Sequence, residues 1–184
     1  MVFVLAIVAV LFVLALNGYF AAVRASAVTA GANMISDALA EARASAVAQN
    51  TTVEVRLYDQ PTPASPSRAY TTLQLHWIKP DGTTPPVANP SFLPAWVVID
   101  TTVPHSPLIA SNTEAATPDA SDTRLNSDTR VFHFLPDGST DLNPATNWFL
   151  SVRPASQSDP AHFPVNCACV SVDATTGRVQ VYRP

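Results

Sequence analysis

The chain has 184 residues, a formal net charge of −4 and a pI of about 5.4, enough length for one domain with its own core plus an appendage. The acidic balance argues against the broad basic footprint that grips nucleic acid through its phosphates. Only 13% of the residues are charged and the mean hydropathy is +0.16, high for a soluble domain, and much of that excess sits at the start of the chain.

Met1–Leu16 is an unbroken apolar run. As a helix it would span about 24 Å, short of the roughly 30 Å hydrocarbon core of a bilayer, and extension through Asn17 and Gly18 to Val23 brings it to about 34 Å. Val2, Phe3, Val4, Leu5, Ile7, Val10, Leu11, Phe12, Leu14 and Leu16 are therefore expected to face lipid or neighbouring helices. The pattern then changes without a break. Val28, Ala32, Ile35, Leu39, Ala42 and Ala46 recur at steps of three and four, separated by Ser26, Thr29, Asn33, Asp37, Glu41 and Arg43, the narrow stripe of an amphipathic helix laid on one partner. None of the 17 prolines precedes Pro61, and proline is what a helix interior excludes. The spacing predicts one helix to about Gln49, with Asn50 suited to ending it. Val28, Ile35, Leu39, Ala42 and Ala46 are its expected contacts with a sheet.

After Asn50 the apolar period drops to two. TTVEVRLY, YTTLQLHWIKPDGT, PAWVVID, TRVFHFLPDGS and NWFLSVR read as short strands, and CACVSVDATTGRVQVYRP as a hairpin turning at Ala174–Gly177. About seven strands follow one long helix, which predicts an α+β fold with the helix lying on an antiparallel sheet. The expected organisation is an apolar helix over 1–24, an amphipathic continuation over 25–50, and a β domain over 51–184 interrupted by a long polar, Pro-containing loop over 101–129, with a shorter one at Pro154–Pro164.

Chemistry-bearing patterns are sparse. His76, His105, His133 and His162 show no paired spacing, and no nucleophile elbow, P-loop or dinucleotide fingerprint occurs. Asp119, Asp122, Asn126 and Asp128 make an oxygen-rich stretch without the calcium-loop spacing or its Gly. Cys167 and Cys169 sit two apart, which on a strand puts their Cα atoms nearly 7 Å apart, at the edge of disulfide range; two buried free thiols are expected. No enzyme constellation and no cofactor or metal site is read.

NMISDALAEARASAVAQNTTVEVRLY resembles the helix end and first strand of GspH/FimT-like pseudopilins. FHFLPDGSTDL, NWFLSV and VDATTGRVQVYRP are similar to blocks of the pilin-like Verru_Chthon cassette protein D family, and the likeness spans nearly the whole chain outside Thr101–Asp128. The resemblance implies a minor pilin-like subunit of a cell-envelope filament or type II secretion-like pseudopilus. Its apolar helix would rest as a single pass in the inner membrane with the C-terminal domain outside, then pack against other pilin-like subunits; a secreted substrate would be a further partner. It also implies a prepilin with a basic leader ending in Gly, an apolar run containing a Glu, and a methylated mature end. Met1–Leu5 aligns just past that leader, so the reading frame is expected to continue upstream with these features; the other reading is a member that is not processed. FimT-like DNA-binding minor pilins carry a C-terminal G-R-x-R element, matched here in part by Gly177, Arg178, Val179 and Gln180, with Arg183 further on and Arg153 elsewhere. Three cations would give only weak, salt-sensitive phosphate binding, so nucleic acid is the lesser reading beside a structural subunit. A secreted β-protein with a signal peptide cut after RASA is the third.

Overall fold

The computed structural model describes residues 2–62, 65–110, 129–157 and 162–183. For residues 2–21 the description is of the backbone, with the side chains of Phe12 and Tyr19 added, and for the described residues of 61–68 it is of the backbone alone.

A single helix, α1, runs from Val2 to Gln49. Asn50 ends it in the left-handed region at φ 49. Its N–H donates to the Val47 carbonyl at 3.3 Å and that of Thr51 to the Ala46 carbonyl at 3.1 Å, the paired bonds that satisfy the last carbonyls of a helix. The sheet follows as β1 (Val53–Thr62), β2 (Ser65–Trp77), β3 (Ser91–Phe92), β4 (Val97–Ile99), β5 (Thr129–Phe134), β6 (Trp148–Pro154), β7 (Ala168–Val172) and β8 (Val179–Tyr182), with a one-turn helix α2 at Pro107–Ala110. The strands lie in the order β5-β1-β2-β4-β6-β7-β8, with β3 also on β2, and every pairing is antiparallel. The fold is α+β, one long helix on an antiparallel sheet of eight strands.

The core lies between α1 and one face of the sheet. Val28, Ala32, Ile35, Leu39, Ala42 and Ala46 are buried there against Val53, Val55, Leu57, Leu75, Phe132, Phe134, Leu150, Val152, Val170 and Val172. Alternate strand positions supply one face, and the three-four stripe of α1 covers it, each Å² of apolar surface removed from water contributing about 25 cal/mol. Gly31 lets the helix come close. A Cβ there would lie 3.2 Å from Val97 Cγ1 and 3.4 Å from both Leu93 Cδ2 and Val152 Cγ1. Among the described side chains N-terminal to Ala27, Phe12, Tyr19 and Val23 are exposed.

The sheet departs from the sequence expectation in three ways. β3 has two residues, too short for an alternating pattern to register. β1 and β2 extend past Tyr58 and back to Ser65 despite Pro61 and Pro66, because register shifts between Tyr58 and Asp59 and between Gln60 and Thr62 place the hairpin tip where ladder bonds are already irregular. And the expected loop does not begin at Thr101. Asp100 Oδ1 accepts the backbone N–H and the hydroxyl of Thr102 at 2.9 and 2.8 Å, and the turn it nucleates leads into α2, which buries Leu108 and Ile109. Residues 111–128, which include Asp119, Asp122, Asn126 and Asp128, lie outside the described residues, as do 158–161 of the shorter loop.

Candidate functional site

The apolar half of α1 is the first candidate. Among the described residues, the apolar packing of α1 on the sheet begins at Ala27 and Val28. Of the side chains named for it from the sequence, Phe12 is exposed, while Val2, Phe3, Val4, Leu5, Ile7, Val10, Leu11, Leu14 and Leu16 lie outside those described. Among the described residues no helix is long and apolar enough to cross a membrane.

The motif blocks that carried the sequence resemblance meet at the other end of α1. Arg43, from the EARASA run, shares its Nε–H between the carbonyls of Gly138 at 3.2 Å and Thr176 at 2.9 Å. Gly138 closes the second Pro-Asp-Gly turn at φ 83 and Gly177 the terminal hairpin turn at φ 62. A Cβ on Gly177 would fall 2.1 Å from the Gly138 carbonyl oxygen, so the two turns touch backbone to backbone and only glycine fits. Thr140 completes the contact, donating its N–H at 2.9 Å and its hydroxyl at 3.0 Å to the Ala174 carbonyl. Asp137 and Asp173 hold their own turns through Ser139 and through Thr175 and Thr176. The PDGST and DATTG segments are thus a clamp that locks the end of α1 to both hairpins.

The basic candidates are not brought together. Arg178 is exposed at one end of β8 and Arg183 lies past the other, five residues of extended chain or about 16 Å away. Arg183 donates to the Ala25 carbonyl at 3.2 Å and to Thr29 Oγ1, so it ties the C-terminal strand to α1. Arg153 donates to Asp100 Oδ2 at 2.9 Å and to the Pro154 and Gln157 carbonyls. Arg178 borders an open groove of about 880 Å³ whose rim includes Asn147, Phe149, Ser171, Asp173, Gln180 and Tyr182, with Arg43 also in its wall.

Two polar networks on the sheet face away from α1, one buried and one reaching the surface at Asp141, escaped the sequence reading. In one, Glu54 and His133 face each other across β1 and β5. His133 Nδ1–H donates to Asp141 Oδ2 at 2.5 Å and Nε2–H to Glu54 Oε2 at 3.3 Å, while Arg56 also donates to Glu54. Burial would push the His133 proton off, but hydrogen bonds and charge from Asp141 and Glu54 outweigh it and raise the pKa to about 10. Burial likewise opposes ionisation of Glu54 and Asp141, and their bonds to His133, with Arg56 at Glu54, hold both below the usual carboxylate range. In the other network Asp100 accepts from Thr102, Arg153 and His105 Nδ1–H, the last at 3.3 Å. Ser151 links this group to the strands, its N–H donating to Ser106 Oγ at 2.9 Å and its Oγ lying 3.3 Å from Cys169 Sγ. Cys167 and Cys169 are buried free thiols. Burial, and then the nearness of Cys169, push the Cys167 thiol up, away from the thiolate that a reactive cysteine needs. Among the described residues no group of three or more His, Cys, Asp or Glu side chains is placed to hold a metal ion.

No family model and no curated protein matches the chain. Solved structures do. A structure of the minor pseudopilin EpsH from the type II secretion system of Vibrio cholerae superposes with a TM-score of 0.52 at 15% identity, covering 85% of this chain and 97% of that one. A second EpsH structure gives 0.52 at 12% identity, covering 86% and 95%. The fold is pseudopilin-like. At these identities the likeness is one of fold, and it covers 85–86% of this chain. The narrower likeness to the Verru_Chthon cassette protein D family remains a resemblance of sequence blocks.

Proposed function

We propose that this chain is a minor pilin-like structural subunit of a cell-envelope filament or of a pseudopilus like that of type II secretion, and that it assembles through the apolar N-terminal half of α1. One observation supports the reading above others: a single 48-residue helix gives its C-terminal half to a sheet, while of its N-terminal half the described side chains Phe12, Tyr19 and Val23 are exposed. A helix segment that is apolar all round is stable when buried, in lipid or among other helices. In this proposal residues 1–24 rest in the inner membrane, then pack against the corresponding helices of other pilin-like subunits; residues 25–50 carry the β domain of residues 51–184 on the outer side. The role is structural rather than enzymatic, and the cations offered for nucleic acid do not converge on one surface.

The test compares the full chain with one lacking residues 1–24, each expressed with the pilin-like subunits of its own system. The full chain is expected in the membrane fraction and in sheared filaments, and the shortened chain in neither. A shortened chain that still enters filaments, or a full chain that stays monomeric in detergent-free buffer, would overturn the proposal.

A further inference from the structure

We propose that the end of the β domain from which α1 emerges is a lipid-docking face, seated on the headgroup layer of an anionic bilayer through Trp96 and Tyr182, with Arg24 and Arg183 as its cations. The inference rests on the membrane-anchored reading above and deepens it: the apolar half of α1 tethers the domain, and the domain itself touches the bilayer.

The sheet register defines this end. Val97 pairs with Pro154, Val152 with Ala168, and Cys169 with Tyr182, so the start of β4, the end of β6, the start of β7 and the end of β8 lie along one margin. α1 crosses that margin. Gly31 faces Leu93, Val97 and Val152, and Arg183 binds the Ala25 carbonyl and Thr29, one turn from Arg24. Several of the large apolar side chains left exposed on the sheet domain gather here, with Trp96 at 64%, Tyr182 at 47%, Val181 at 39% and Val165 at 102% of full exposure. Tryptophan is a side chain that proteins bury on average. Trp96 is instead held out by a tied turn. Its backbone takes φ 72, a region that bulky residues avoid, its carbonyl accepts from Ala155 N–H at 2.7 Å, and Val97 N–H donates to Pro94 at 3.2 Å.

β4 and β8 are three strands apart in the sheet order, or about 14 Å. Tyr182 lies opposite Cys169, on the sheet face away from α1, so Trp96 and Tyr182 mark the breadth of this margin rather than one face of it. An indole and a phenol each pair an apolar body with a polar edge, the chemistry that settles at the membrane–water boundary. Continuity and charge favour lipid over a second protein surface. From Met1 to Val23 the sequence is apolar apart from Asn17 and Gly18, so a bilayer holding that segment brings its headgroups level with Arg24. There the guanidinium groups of Arg24 and Arg183 meet phosphate while the two aromatic rings meet the acyl boundary.

The test places the full chain in vesicles of phosphatidylethanolamine and phosphatidylglycerol whose acyl chains are brominated near the headgroup. The chain has three tryptophans, and subtracting the emission of the Trp96→Phe variant, with Trp96→Tyr as a second subtraction, isolates the signal of Trp96. We expect at least about two-fold quenching of that signal, as for an interfacial tryptophan, shielding from acrylamide, and weaker quenching when Arg24→Gln removes a cation. Carbonate washing reads the anchor separately. Release from the vesicles overturns the anchored reading and the docking face with it. Retention with Trp96 unquenched and open to acrylamide overturns the docking face alone, because the domain then stands off the bilayer. Retention with Trp96 unquenched yet shielded from acrylamide also overturns it, and assigns the face to another copy of the chain.

Discussion

His133 sits between two carboxylates, and its proton is part of the fold. In the unfolded chain its pKa falls to the ordinary value of 6.5, whereas in the folded chain it lies near 10. A group whose pKa is raised by folding stabilises fully below the unfolded value and loses that contribution as pH climbs through the folded one. Glu54 and Asp141 act in the opposite sense. Their pKa values are lowered on folding, so their contribution is present above about pH 4.5 and is lost in acid. The thermal midpoint should therefore be highest between about pH 5 and 6.5 and should decline steadily toward pH 10. His133→Gln should lower stability by about 2–3 kcal/mol at pH 6, the scale of hydrogen bonds to charged groups, and should flatten the alkaline decline. Differential scanning fluorimetry across pH on both proteins would check this; an unchanged alkaline slope in the variant would remove His133 from the account.

At the scale of elements, stability turns on two close approaches. The clamp at the C-terminal end of α1 depends on the contact of the Gly138 and Gly177 turns under Arg43. Gly177→Ala forces a Cβ into a backbone carbonyl 2.1 Å away at a φ of 62, and neither turn has a flexible side chain to move aside. The expected cost is at least about 2 kcal/mol, from overpacking and backbone strain together. Arg43→Ala removes one N–H shared by two carbonyls on a part-exposed surface, so about 1 kcal/mol is expected. Urea unfolding should rank them in that order, and equal losses would mean that Arg43 rather than the glycine contact holds the clamp. Nearer the other end, Gly31→Val should cost about 1–3 kcal/mol, because Val97, Leu93 and Val152 crowd the new side chain from three elements. The same mutation at Gly18, where a Cβ would meet nothing within 4 Å, should leave the thermal midpoint of the sheet domain within a degree or so.

For the whole molecule, folding and assembly divide along α1. Among the described residues, every helix residue in the core lies at Ala27 or beyond, so the chain lacking residues 1–24 should fold by itself and unfold in one cooperative step. Its midpoint should match that of the full chain in detergent to within a few degrees, as expected when no core contact is lost. Circular dichroism melting with light scattering would measure both. A shortened chain that melts without cooperativity would show that the first half of α1 supports the sheet as well as tethering it. Arg183 to Ala25 is a bond that reaches toward the cut, so fraying of β8 would be an early sign.

Much of the architecture could be read from local pattern. The switch from a three-four period to a period of two at Asn50, the absence of proline before Pro61 and the Pro-Asp-Gly turns each act over a few residues, because helix stripes, strand alternation and turns are local consequences of backbone geometry. They determine one long helix followed by antiparallel strands. What local pattern could not supply was pairing between distant segments. That Glu54 meets His133 depends on β1 pairing with β5 across the whole of β2 to β4. That Arg43 meets Gly138 and Thr176, or that Arg178 and Arg183 part company along β8 and Arg183 is taken up by α1, depends on which turns the helix end reaches. Asp100 looked like the last residue before a loop and became the centre of a buried network because its carboxylate, once desolvated, had to find donors in Thr102, His105 and Arg153. Sequence by itself determined the elements and their faces, since these follow from each residue's neighbours. Only tertiary structure decided which charges are buried together, since that follows from register, and register is set by the packing of the sheet as a whole.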